Sequence, residues 1–273
     1  MADTLLHLTL AHRIAEHPEL AMPVQNLIQL HPDAYFLGSA LFDLPYYDTL
    51  LLSGLQTLFG LPSAYHPFGQ IIHNGQCRRL CVELVRGAQS NEQLAMAYGA
   101  LTHFAVDIVF HAEIERRIQN TTISHDALER QIGILCHQKL LGHSGVGTAY
   151  TITATWLFPH PDWRHFAAAV FSQLYTGTSN DATIPPDSAT LARWQRSFRA
   201  FGYLYSKPWF PWLTTRAPHD PELKQTALQL TARAMESAIR YLNAAGRYRS
   251  NNISLRELTQ ALPNRRMVDG RSE

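Results

Sequence analysis

Apolar residues recur along most of this chain at intervals of three and four, the period of a helix with one buried face. The pattern is clearest from Ser90, where Gln93 three residues on has the spacing of a capping box. The helix predicted there runs through Leu94, Tyr98, Leu101, Ala105, Ile108 and His111 to about Gln119, where Asn120-Thr121-Thr122 breaks it. A second helix is expected from about Ser124 to Leu141, stopping at Gly142. Asp220 followed by Pro221 opens another that ends near Gly246, and Ser254 with Glu257 opens a short terminal one. Weaker periodicity places helices at 4–17, 34–42, 47–59, 68–87, 161–176 and 187–205. Strand-like alternation is scarce, with Thr151 to Thr155 the one short run, and the Pro/Ser/Asp-rich segment 177–188 reads as a long loop. The expectation is an all-α fold: a single helical domain over 1–273, its candidate chemistry within 1–145, completing helices in 146–262 and a frayed tail at 263–273.

Composition sharpens this in one respect. Apolar residues are 46% and charged residues 16%, which excludes a predominantly disordered chain. Lys plus Arg is 23 against 22 for Asp plus Glu, so no global field draws the chain to nucleic acid or anionic membrane. The unusual count is histidine, at 14. Histidine is the commonest metal ligand, so the positions of these residues matter. Cys77, Cys81 and Cys136 are too few for a disulfide framework, and Cys77 and Cys81 read as buried small apolar residues. The N-terminus shows no basic signal-peptide region, and no stretch reads as long and apolar enough to span a bilayer; the best candidate, 34–61, is interrupted by Asp43, Pro45 and Asp48. A soluble, cytoplasmic protein is expected.

The chemistry concentrates on the central helix. His103, Asp107 and His111 stand at i, i+4 and i+8, separated by apolar residues, and fan over roughly 80° of one face. Eight residues rise about 12 Å, too far for His103 and His111 to share one ion easily, whereas each i, i+4 pair can chelate. One helix therefore suits two ions, with Asp107 between them. The next helix carries His125 and Glu129, again at i, i+4. A short turn makes the two helices antiparallel and sets His111 beside His125 and Glu129. Two nitrogens and one oxygen leave a fourth position open, the pattern of a catalytic zinc.

These residues resemble the hallmark of the zinc-dependent phospholipase C family: a helix with H-x-x-x-D, a further His, then H-x-x-x-E on the following helix. Here they are His103, Asp107, His111, His125 and Glu129, and the resemblance covers roughly residues 5–145. The family also brings an N-terminal-region His, best matched by His7 with His12 as competitor. It brings an Asp after a glycine-containing segment, best matched by Asp43, and a further His, best matched by His73 with His66 as competitor. The resemblance implies two or three zinc ions: one on Asp43, His73, His103 and Asp107, one on His111, His125 and Glu129, and one on His7 and Asp107. In this sequence His111 follows Asp107 more closely than in the family's secreted enzymes.

The implied activity is hydrolysis of a phosphodiester, with Asp43 orienting or deprotonating the attacking water. The substrate would be a phospholipid or small phosphodiester, with peripheral membrane contact. Two rival readings remain: a single-strand nuclease with the same metal centre, and a metal-binding or interaction protein without turnover. The aromatic loop Lys207-Pro-Trp209-Phe-Pro-Trp212 suits a lipid interface or an edge of the core, and so does Trp156 to Trp163. His160 and His165 lack acidic partners at helical spacing and read as non-ligands. Glu113 to Arg117 reads as a solvated helix end whose arginines could approach phosphate. Asp33 and Asp48 read as caps or surface acids, with support of the ligand histidines as the alternative.

Overall fold

The computed structural model describes residues 4–48, 67–119, 123–141, 162–176, 184–205 and 220–273. Twelve helices lie among them: α1 (Thr4–Ala15), α2 (Met22–Leu30), α3 (Pro32–Ala40), α4 (Leu44–Asp48), α5 (Pro67–Asn74), α6 (Cys77–Gly87), α7 (Asn91–Ile118), α8 (His125–Leu141), α9 (Asp162–Tyr175), α10 (Ser188–Tyr205), α11 (Pro221–Arg249) and α12 (Leu255–Ala261). The fold is all-α, and no strand occurs among the described residues.

Local chemistry starts the long helices where expected. Ser90 Oγ accepts from the Gln93 N–H while the Gln93 side chain accepts from the Gln89 N–H. Asp220 Oδ1 accepts from the N–H groups of Glu222 and Leu223, behind Pro221. Ser254 and Glu257 form the full capping box.

Two expected elements change, and one helix is new. The helix expected at 68–87 is two, α5 and α6, because Gln76 adopts left-handed backbone at φ 58° and turns the chain. The region 34–42 belongs to a longer run of three helices, since Pro23 and Pro32 each start one. The helix α2 was unexpected, because it buries only Val24 and Ile28 and has little periodicity to read. Residues 49–59 of the helix expected at 47–59, the Thr151 run, residues 177–183 of the loop and the aromatic loop at 207–212 lie outside the described residues; the described start of that helix is α4, which begins earlier, at Leu44.

The helix α7 is the axis of the fold, with α3, α6 and α11 packed along it. It is buried from Leu94 to Ile108 without a break. It also corrects the membrane reading: α7 is long and apolar enough to cross a bilayer, with its apolar window wholly buried inside the fold. It carries His103, Asp107 and His111 and is apolar enough on average all the same.

The contact of α3 with α7 is unusually close. A Cβ on Gly38 would fall 2.0 Å from the Met96 carbonyl oxygen, and one on Gly99 would fall 1.9 Å from the Tyr35 carbonyl oxygen. Backbone meets backbone there, with no room for side chains. The crossing aims the end of α3, and the turn that carries Asp43, at His103.

Candidate metal centre

Five pieces of chain bring eight side chains together. The helix α1 supplies His7, the turn between α3 and α4 supplies Asp43, and α5 supplies His73. The helix α7 supplies His103, Asp107 and His111, and α8 supplies His125 and Glu129. Their ligand atoms form three groups, each within 4.8 Å: His7, His103 and Asp107; Asp43, His73 and His103; and His111, His125 and Glu129. Asp107 lies between the groups, with Oδ2 3.0 Å from His103 Nε2 and Oδ1 3.1 Å from His7 Nε2 and 3.8 Å from His111 Nε2. Asp43 Oδ1 is 3.5 Å from His73 Nε2 and 3.9 Å from His103 Nε2. Glu129 Oε1 is 3.0 Å from His111 Nε2, and Oε2 is 3.8 Å from His125 Nε2.

Backbone carbonyls set the histidine tautomers. His103 Nδ1 bonds the Ser39 carbonyl at 2.9 Å, His73 Nδ1 the Gly69 carbonyl at 2.7 Å, and His111 Nδ1 the Met267 carbonyl at 2.7 Å. A carbonyl only accepts, so each Nδ1 carries a proton and each Nε2 faces inward. His7 stacks flat on His103, ring centres 3.8 Å apart. His125 Nδ1 is held by Glu115 Oε1 at 2.8 Å.

The inward atoms form a set that ordinary protein partners leave unsatisfied. The Nε2 atoms of His7, His73 and His103, both oxygens of Asp43 and Asp107, and Glu129 Oε2 are buried without a hydrogen bond. Asp43, Asp107 and Glu129 are each only 1% exposed. Neutral imidazole lone pairs facing carboxylate oxygens would repel, and three buried carboxylates cannot stay charged without compensation. Only cations between them resolve both problems, whether protons or metal ions.

The charges within the cluster shift one another's pKa values in the same sense. Burial pulls the His103 imidazole down, but Asp107 and Asp43 outweigh it and lift it to about 9. Burial likewise opposes protonation of His111, yet Asp107 and Glu129 raise it to about 10. Burial pushes Glu129 up and His111 more than reverses it, leaving its carboxyl at about 2. Asp107 is held well below the usual range by His103, His111 and His7 against the cost of burial. The donor set of imidazole nitrogens and carboxylate oxygens is the one zinc takes, and it fits that ion.

Other sequence expectations resolve unevenly. His12 lies beside Phe36, ring centres 6.3 Å apart, away from the three groups, and His66 and His160 lie outside the described residues. His165 is exposed, while Trp163 is buried. Cys77 and Cys81 are buried, and burial pushes both thiols up. Asp33 sits in the first turn of α3, and the Asp48 carboxylate takes the Arg193 guanidinium at 2.9 Å. The end of α7 is not simply solvated: Arg116 and Arg117 pair with Glu113, Arg117 reaches Glu222, and Glu115 orients His125.

Two supports escaped sequence reasoning. Glu115 follows His111 by the same four-residue step as the ligand pairs, a signal that was present but unused. The Met267 carbonyl belongs to the stretch expected to be a frayed tail, which is in fact docked; backbone acceptors carry no sequence signal.

Comparison with known proteins gives one match. Residues 6–175 match the family described as zinc dependent phospholipase C. No curated protein and no solved structure matches.

Proposed function

Because this chain belongs to the zinc-dependent phospholipase C family, we propose that it hydrolyses phosphodiester bonds, with two or three zinc ions held by His7, Asp43, His73, His103, Asp107, His111, His125 and Glu129. The observation that carries this reading is the buried, unsatisfied set of imidazole nitrogens and carboxylate oxygens. Bound zinc supplies Lewis acidity toward phosphate oxygens and lowers the pKa of water near neutrality.

The chain's own residues supply position and proton handling. Asp107 contributes an oxygen to each side, so it ties the two clusters of α7 into one centre. Asp43 has one oxygen toward His73 and His103 and the other toward His7, at 3.7 Å. That leaves it able to serve one subsite while taking a proton from the attacking water at the other oxygen, a role worth a factor of about 10² to 10⁴. His125 is the most exposed of the eight, its side chain 25% accessible against 6% or less for His7, Asp43, His73, His103, Asp107, His111 and Glu129. Substrate approach from the His125 side follows. A phospholipid or small phosphodiester is the substrate class, met at a membrane surface in the first case.

Elemental analysis of the purified protein, paired with hydrolysis of phosphatidylcholine vesicles, a chromogenic phosphodiester and single-stranded DNA, tests the reading. Two or three zinc ions per chain and release of a phosphorylated head group are expected. His103→Ala and His125→Ala should each remove about one ion and abolish turnover. Unchanged metal content in both variants would overturn the assignment. Cleavage of the DNA alone would move the substrate to nucleic acid, and metal without hydrolysis of any substrate would leave a binding protein.

A further inference from the structure

The last ten residues lie outside the span shared with the family, yet they touch the centre twice. The Met267 carbonyl accepts from His111 Nδ1, and the Val268 N–H donates 3.0 Å to the His73 carbonyl. Met267 itself is fully buried. The segment is folded as a narrow loop. The Gly270 N–H bonds the Arg266 carbonyl at 3.0 Å and the Arg266 N–H bonds the Arg271 carbonyl at 2.8 Å. Asp269 accepts from the Arg271 N–H at 3.0 Å and pairs with the Arg266 guanidinium. At its foot, Glu273 Oε1 accepts from the Cys77 N–H at 2.8 Å, where α6 begins.

One residue seats this loop on α7. Gly270 has φ +66°, and a Cβ there would come 2.6 Å from the Ile108 carbonyl oxygen and 2.9 Å from Ala112 Cβ. Ile108 and Ala112 directly follow Asp107 and His111. Glycine is therefore required both by conformation and by space, and it sets the loop against the turn of α7 that carries the two site residues.

We infer that the segment 264–273 is a positioning element of the metal centre, its Met267 carbonyl fixing the tautomer and ring orientation of His111 and its Val268 N–H fixing the end of α5 behind His73. This rests on the reading of His111 as a ligand. A histidine ligand depends on the partner of its other nitrogen, and loss of such a partner costs about 10- to 100-fold in metal affinity.

The test uses full-length Gly270→Ala, with Val24→Ala on α2 as a comparison that destabilises the fold away from the site. Chelator competition should show one ion per chain held at least tenfold more weakly in Gly270→Ala and unchanged in Val24→Ala. In metal-free protein, proton and nitrogen NMR should show the His111 Nδ1–H slow to exchange in the parent chain and fast in Gly270→Ala. Unchanged affinity and an unchanged His111 signal in Gly270→Ala would overturn the inference, as would an equal loss of metal in Val24→Ala. A parent chain that takes no metal sinks the functional proposal instead, and the ring-proton signal still decides the role of the loop. Should Gly270→Ala not fold, Asp269→Ala, which loosens the same turn, carries both measurements.

Discussion

Asp107 and the histidines around it form a buried cluster in which each charge is set by its neighbours. In the metal-free protein His103 stays protonated to about pH 9 and His111 to about pH 10, each held up by neighbouring carboxylates. Zinc binding must displace those protons. At pH 7.5 it should release about two per chain, which calorimetry in buffers of different ionisation enthalpy will count. The stability sign follows. Both pKa values are raised above the unfolded value of 6.5, so their contribution is complete below about pH 6.5 and is lost as pH climbs through 9 to 10. The stability of the metal-free protein against denaturant should fall over that range, while that of the zinc-loaded protein should not follow it. Glu115 makes a separate prediction. It holds His125 Nδ1 at 2.8 Å, so Glu115→Ala should weaken one ion by about 10- to 100-fold while leaving the fold intact; chelator competition reads the first and far-UV dichroism the second.

The elements are joined by a crossing that tolerates no side chain. Gly38 and Gly99 let α3 and α7 meet backbone to backbone, with Ser39 in that contact and Asp43 just beyond it. Gly99→Ala forces the helices apart and should cost about 1–3 kcal/mol or more from overpacking. A lowered melting temperature together with lost zinc is the expected outcome; normal metal content in a destabilised variant would show that the crossing serves the core alone. Helix existence was well marked along the chain, because caps such as Ser90, Asp220 and Ser254 act within four residues. Helix interruption was not. The break at Gln76 has no proline to announce it, and the left-handed residue there is stabilised by what packs around it, including the Tyr175 hydroxyl bonded to the Gly75 carbonyl.

At the scale of the molecule, the candidate metal centre draws on elements spread from α1 to α8, residues 7 to 129. Ions that bind only the folded state add stability of about 4 kcal/mol each at a thousandfold excess over Kd. Removing zinc with a chelator should therefore lower the melting temperature by on the order of 10 °C. A metal-independent melting curve would show that the carboxylates are neutralised by protons alone. Periodicity and spacing were enough to establish an all-α chain and the pairs His103–Asp107, Asp107–His111 and His125–Glu129. A helix converts a four-residue step into a shared face whatever surrounds it. The resemblance supplied His7, Asp43 and His73, and helix packing shows why they meet: α1, the turn after α3 and α5 all converge on one side of α7. No local pattern could announce the docking of 264–273, because its Met267 carbonyl and Val268 N–H are groups that every residue carries. Interactions within one turn are written in adjacent residues, whereas those between a terminus and the centre of the fold exist only once packing has excluded water and left each polar atom a single partner.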